Sequence, residues 1–152
     1  MEYYPGFICQ NGHIVEILSR RCTSDYCTKC GSPVTNTCAY CGEVIHGQRI
    51  DYCPPYRVPA YCHSCGKPYP WTQAAIQATL ELLAEDENLT AEECNRLVEV
   101  LPDALVETPR SQLAAARIGK ALRNAGKFTV DALRQFVLDF ACELVKKQLG
   151  LQ

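Results

Sequence analysis

Cys27-Thr28-Lys29-Cys30-Gly31, Cys38-Ala39-Tyr40-Cys41-Gly42 and Cys62-His63-Ser64-Cys65-Gly66 are three copies of one pattern, and they decide how the first half of this chain folds. A Cys-x2-Cys turn places two sulfurs on one metal ion, about 2.3 Å from each for zinc, and two such turns close a tetrahedral shell. The glycine behind the second cysteine can take the positive φ that the chain needs as it bends around the ion. A fourth pair stands upstream, Cys9-Gln10-Asn11-Gly12-His13, a Cys-x3-His. One Cys-x2-Cys is weak evidence by itself. Three with glycine behind them, beside a Cys/His pair, form a specific metal signature. Four two-ligand pairs make two tetrahedral sites, so Cys9, His13, Cys27, Cys30, Cys38, Cys41, Cys62 and Cys65 are the expected ligands of two structural Zn²⁺ ions. With four protein ligands each, such sites have no open position for catalysis.

Two arrangements satisfy this set. Sequential pairing joins Cys9/His13 to Cys27/Cys30 and Cys38/Cys41 to Cys62/Cys65, as in zinc ribbons. A cross-brace, first pair with third and second with fourth, is the alternative. The histidine is not central here as it is in RING-type modules, which favours the sequential order. Cys22 could replace His13, since Cys22-x4-Cys27 is sterically possible, but the Cys-x3-His beside Asn11-Gly12 reads as a built turn and favours His13. Cys53, Cys94 and Cys142 read as small buried thiols. His46 and His63 read as ordinary surface or loop residues, the His63 ring pointing away from the metal.

Of the eleven cysteines, nine lie before residue 66. That density means either a disulfide scaffold or a metal module. The close pairing, the odd total and an N-terminus without a basic, then apolar, leader favour metal and a cytoplasmic location. No apolar run reaches the roughly 20 residues of a membrane span. The chain has 152 residues and a net charge of −2, which excludes a bulk polyanion-binding surface.

Composition changes near Trp71, dividing the chain into a module over 1–70 and a helical domain over 71–152. In the first part, 12–18 and 43–50 read as short strands, and Pro54-Pro55 with Pro59 as a loop. A module of this size with so few aliphatic residues needs metal staples. The second part reads as four helices. Thr72 caps one over 74–83. Thr90, with Glu93 three residues on, forms a capping box for one that runs to Leu101 before Pro102. Thr108-Pro109 begins a third that ends at Gly126, and Thr129 a fourth that ends near Gly150. The expected fold is thus a small metal-stabilised β module, a double zinc ribbon, followed by an all-α helical bundle.

Charge is segregated along the helices. Residues 81–107 carry nine acids and one base, Arg96, whereas 108–130 carry Arg110, Arg117, Lys120, Arg123 and Lys127 and no acid. The five bases fall on one side of the third helix. They face either the acidic helices, which is favoured, or an anionic partner; without interleaved aromatics the signature for nucleic acid is weak. Leu133, Val137, Phe140 and Leu144, with Phe136 beside them, form a broad apolar face on the last helix. An internal core is the ordinary reading and a homodimer seam the sharper one. No phosphate-binding loop, dinucleotide fingerprint, nucleophile elbow or zincin motif is present. His13-Ile14-Val15-Glu16 lacks the His-x-Glu spacing of a zinc deaminase.

The string Cys-x-Asn-Gly-His, the Cys-x2-Cys pairs, Tyr61-Cys62 through Pro70-Trp71-Thr72, Thr108-Pro109-Arg110 and Leu133-Arg134-Gln135-Phe136-Val137 resemble an uncharacterised bacterial zinc-ribbon family, a domain of unknown function. The resemblance covers nearly the whole chain and implies the same eight ligand positions. It implies no activity. The expected function is a non-enzymatic adaptor that binds another protein. A nucleic-acid-binding module is the alternative, and a cross-brace ubiquitin-ligase-like component is the remote one.

Overall fold

The computed structural model describes residues 2–51 and 53–151. It divides into two compact units, Met1–Ala74 and Ala75–Gln152. Among the described residues no helix is long and apolar enough to cross a membrane.

The first unit is built by repetition of one local structure. In each Cys-x2-Cys-Gly turn the glycine N–H returns to the first cysteine's carbonyl: Gly31 to Cys27 (2.8 Å), Gly42 to Cys38 (2.8 Å) and Gly66 to Cys62 (2.9 Å). The first cysteine's own N–H reaches the carbonyl five residues on, at Ser32, Glu43 and Lys67. Flanking residues then pair as isolated bridges, Tyr26 with Pro33, Thr37 with Val44 and Tyr61 with Pro68. Gly31, Gly42 and Gly66 have φ between 71° and 76°. The glycine of the repeat is therefore there for its backbone, since a Cβ would meet nothing within 4 Å at any of the three.

Strands β1 (Tyr3–Pro5), β2 (Phe7–Cys9), β3 (Ile14–Glu16), β4 (Val34–Thr35) and β5 (His46–Arg49) join these turns. They form an antiparallel β1-β5 pair and a three-stranded sheet in the order β3-β2-β4. The expected strands over 12–18 and 43–50 contain β3 and β5. The other three are too short to show alternation. A small core of Ile8, Ile45, Tyr69 and Trp71 packs around Cys38 and Cys62, with Ile17, Tyr56 and Val58 at its margin. Trp71 stacks on Tyr69 at 4.7 Å and donates from Nε1 to the Pro59 carbonyl at 2.9 Å. Gly12, at φ 86°, lies so close to Trp71 that a Cβ would stand 3.0 Å from the tryptophan's own.

Helix α1 (Pro70–Ala84) starts earlier than expected. Pro70 is its first residue, where a missing N–H costs nothing. Thr72 is therefore inside the first turn and not its cap, with its hydroxyl donating to the Ala60 carbonyl at 2.7 Å. Helix α2 (Ala91–Leu105) opens on the expected capping box: the Thr90 hydroxyl accepts from Glu93 N–H, and the Glu93 carboxylate accepts from Thr90 N–H. It then continues through Pro102, where a stop was expected. The proline removes one backbone hydrogen bond, while Leu101, Ala104 and Leu105 beyond and beside it are buried.

Helix α3 spans Ser111–Asn124. Thr108-Pro109 is not its first turn but a turn ahead of it, closed by Ser111 N–H on the Thr108 carbonyl (3.0 Å). The fully buried Ser111 donates from Oγ to the Asp103 carbonyl at 2.9 Å. Helix α4 spans Lys127–Phe140, with Gly126 as its N-cap, so Thr129 lies within its first turn. The expected fourth helix is in fact two: Ala141 and Cys142 are extended, and α5 spans Glu143–Leu149. The break has a partner, because Cys142 N–H donates to the Ala104 carbonyl (2.8 Å), which the end of α2 leaves free. Gly150 ends α5 in the left-handed conformation. Within this unit α3 packs against α2, α4 and α5. Leu133, Phe136 and Val137 of α4 are buried inside it, whereas Phe140 is 40% exposed.

Candidate metal centre

The chain brings eight ligand-type residues into two clusters. Cys9, His13, Cys27 and Cys30 form one, Cys38, Cys41, Cys62 and Cys65 the other, and the ligand atoms in each lie within 4.8 Å of one another. The grouping is sequential and the cross-brace is not formed. Each cluster takes one ligand pair from each of two turns, and the backbone hydrogen bonds of those turns aim the sulfurs inward.

The spacings fit a tetrahedral ion. Cys38 Sγ–Cys65 Sγ and Cys41 Sγ–Cys62 Sγ are both 3.7 Å. In the first cluster Cys9 Sγ–Cys30 Sγ is 3.7 Å, and His13 Nδ1 stands 3.5 Å from Cys9 Sγ and 3.7 Å from Cys27 Sγ. A tetrahedron with metal–sulfur bonds of about 2.3 Å has edges of roughly 3.8 Å. Disulfides require about 2.05 Å, and all the cysteines among the described residues are free. Each cluster could therefore hold one metal ion through four protein atoms, with Nδ1 as the histidine donor.

Local hydrogen bonds prepare two of the sulfurs, one in each cluster, as thiolates, the form that binds metal. The Ser32 hydroxyl and N–H, with the Asn11 amide, draw the Cys30 thiol down to about 5. The Cys65 N–H, against desolvation and aided by that of Ser64, draws Cys62 down to about 6. Cys41 moves the other way, up to about 12. The Glu43 N–H lowers it, but desolvation and the sulfurs of Cys62, Cys65 and Cys38 together prevail. Four crowded sulfurs resist ionising together, and a divalent cation between them reverses that balance.

Sequence reading passes over the support of these clusters. Asn11 Nδ2 donates to Ser32 Oγ at 2.9 Å, tying the Cys9/His13 turn to the Cys27/Cys30 turn. Asn11 sits inside the Cys9/His13 motif and Ser32 directly behind the Cys27–Gly31 motif, which is the signal that could have found them. His46 and His63 are exposed, as expected, but their rings are in contact. His46 stacks on Tyr3 at 4.2 Å and meets His63 edge-on at 3.9 Å, holding the third turn against β5. Desolvation, and then the neighbouring His63, keep His46 below its usual pKa. Cys22 stands apart from the first cluster, its thiol directed at the Ser24 carbonyl (3.5 Å). Of the three cysteines expected as buried thiols only Cys142 is buried; Cys94 is half-buried and Cys53 exposed. Cys53 precedes the proline-rich loop, whose Tyr56 and Val58 rather than the cysteine pack against the core.

Of the five bases of 108–130, two are paired with acidic residues of the helical unit. Arg110 pairs with Asp103 (3.2 Å) and Arg117 with Glu99 (3.1 Å). Lys120 acts electrostatically on Glu93. Arg123 and Lys127 are exposed.

No curated protein and no solved structure matches this chain. A family model does match, over residues 2–149. On a match of that extent the chain belongs to the bacterial family described as "Uncharacterized protein conserved in bacteria" (DUF2321).

Proposed function

We propose that this protein is a non-enzymatic adaptor of the bacterial cytoplasm, held in shape by two structural Zn²⁺ ions and binding another protein through its metal-knuckle surface. The convergence of four protein ligand atoms in each cluster carries this reading. It leaves no coordination position for substrate, so the metal's work is to fold the module. Thiolate-rich tetrahedral sites select zinc among the common divalent ions. A reducing compartment keeps such thiols available. The surface so held exposes large side chains beside the turns: Tyr26 is 63% exposed, Tyr40 59% and Leu18 57%. Exposed aromatics suit the buried centre of a protein interface.

Nucleic acid is the second reading, favoured by Arg20, Arg21 and Lys29 in the same segment as Tyr26. A second copy of the chain is a further partner that the exposed Leu138 and Phe140 of α4 would suit. One experiment separates these. Zinc-loaded protein is used to capture partners from nuclease-treated native lysate, beside Tyr26→Ser/Tyr40→Ser, and is titrated with single-stranded oligonucleotide across salt. The adaptor reading expects a protein partner that survives nuclease and is lost with the double variant. Oligonucleotide binding with a steep salt slope, and no nuclease-resistant partner, would overturn it. Light scattering reports the mass and hence any homodimer.

A further inference from the structure

Arg96 is the one base in the acidic segment 81–107, and its position gives the helical unit a feature that charge segregation conceals. Helix α2 presents Glu93, Arg96 and Leu97, and helix α3 presents Arg117, Lys120 and Ala121. Each set has the spacing i, i+3, i+4, which places its members on one face of a helix. The two faces line a common cavity of about 110 Å³. Leu97 and Ala121 are buried and form an apolar floor. Arg96, Arg117, Lys120 and Glu93 complete the lining.

We propose that this cavity is a binding site for a small dianionic oxyanion of the phosphate or phosphate-monoester class. The lining itself carries three positive groups and one negative, and a dianion balances that charge once it displaces the Glu92 and Glu99 carboxylates from Arg96 and Arg117. The volume is ample for one such group. Glu93 is not free to swing into the anion's place. Its carboxylate is held by Thr90 N–H at 2.9 Å and by Asn124 Nδ2 at 3.3 Å. Arg117 is positioned by its bond to the Arg96 carbonyl at 3.2 Å, which leaves further guanidinium donors for a ligand. Both arginines have carboxylate partners, Arg96 in Glu92 and Arg117 in Glu99. Pairs this exposed are worth about 0–1 kcal/mol, so an anion that bonds both guanidiniums and the ammonium at once displaces them readily. The site lies wholly within the helical unit and does not depend on the adaptor reading.

The test uses the full zinc-loaded chain and inorganic phosphate as the probe, titrated at constant ionic strength with chloride as the balance. Saturable binding is expected by calorimetry, together with a rise in the melting temperature of the helical signal. Lys120→Gln and Arg96→Gln should each weaken binding about tenfold, the loss of one charge-assisted hydrogen bond. Arg123→Gln makes the same charge change on α3 outside the cavity and should leave affinity unchanged. Absence of saturable binding by the wild type overturns the proposal. So does an Arg123→Gln effect as large as that of Lys120→Gln, which would mean diffuse attraction to a basic helix.

Discussion

Two candidates competed for one ligand position, and the geometry of single residues separates them. His13 Nδ1 lies 3.5 and 3.7 Å from two sulfurs, whereas the Cys22 thiol is engaged with a carbonyl outside the cluster. His13 is also tied to Cys9 through the backbone, its N–H donating to Cys9 Sγ at 3.3 Å. Removing the imidazole leaves a three-sulfur site open to water and exchange. We therefore expect His13→Ala to lose one equivalent of metal, or to hold it far more weakly, and Cys22→Ser to retain both equivalents. Elemental analysis after gel filtration against a mild chelator makes the comparison. The reverse result would make Cys22 the fourth ligand and require the 18–26 segment to refold around it.

At the scale of elements, much of the architecture was legible, and the reasons differ from one element to the next. The metal turns could be read because coordination fixes both the spacing of the ligands and the glycine that follows. The capping box at Thr90 could be read because it is a reciprocal contact within four residues. The break at Ala141-Cys142 could not. Neither residue is a helix breaker, and the compensation comes from Ala104, distant in sequence. Strands of two or three residues such as β4 likewise take their identity from a neighbour. Helix α4 shows the same dependence at its start. Gly126, its N-cap, has no side chain to offer, and Asp86, from the turn after α1, accepts the Gly126 N–H at 3.0 Å and the Asn88 N–H at 2.8 Å. Its carboxyl is held below the usual range, first by the Thr129 hydroxyl and then by the Asn88 and Gly126 N–H groups. A depressed carboxyl contributes stability that is present above its unfolded value of about 3.9 and lost as pH falls through the lower folded value. Asp86→Ala should therefore destabilise the helical unit by about 1 kcal/mol at neutral pH, the ordinary worth of a cap. The difference from wild type should shrink below about pH 4. Thermal melts followed at 222 nm measure it; equal stability at pH 7 would show that Asp86 contributes nothing as a cap.

For the whole molecule, the two units rest on different physics, and this sets the response to metal removal. The helical unit has an aliphatic interior: Leu97, Val100, Leu101, Ile118, Leu133, Val137 and Val145 are essentially inaccessible to solvent. The first unit offers Ile8, Ile45, Tyr69 and Trp71 as its main apolar core, and two of the six buried members of that cluster are ligand cysteines, Cys38 and Cys62. Strands of two to four residues add little cooperativity. Structural zinc contributes roughly 10–16 kcal/mol in zinc-finger modules, so folding of the first unit is expected to be coupled to ion binding. The single tryptophan reports on it, since Trp71 is only 5% exposed and packs on Tyr69 and Gly12. Titration with a strong chelator should release two metal equivalents per chain, one from each cluster. The Trp71 emission should move to the red as the first unit opens, while most of the helical circular dichroism persists. Restoring zinc under reducing conditions should reverse the change. Loss of the helical signal in step with the tryptophan signal would mean that the helices depend on the metal module; an unchanged tryptophan spectrum after complete metal release would mean that the aromatic core holds the first unit without the ions.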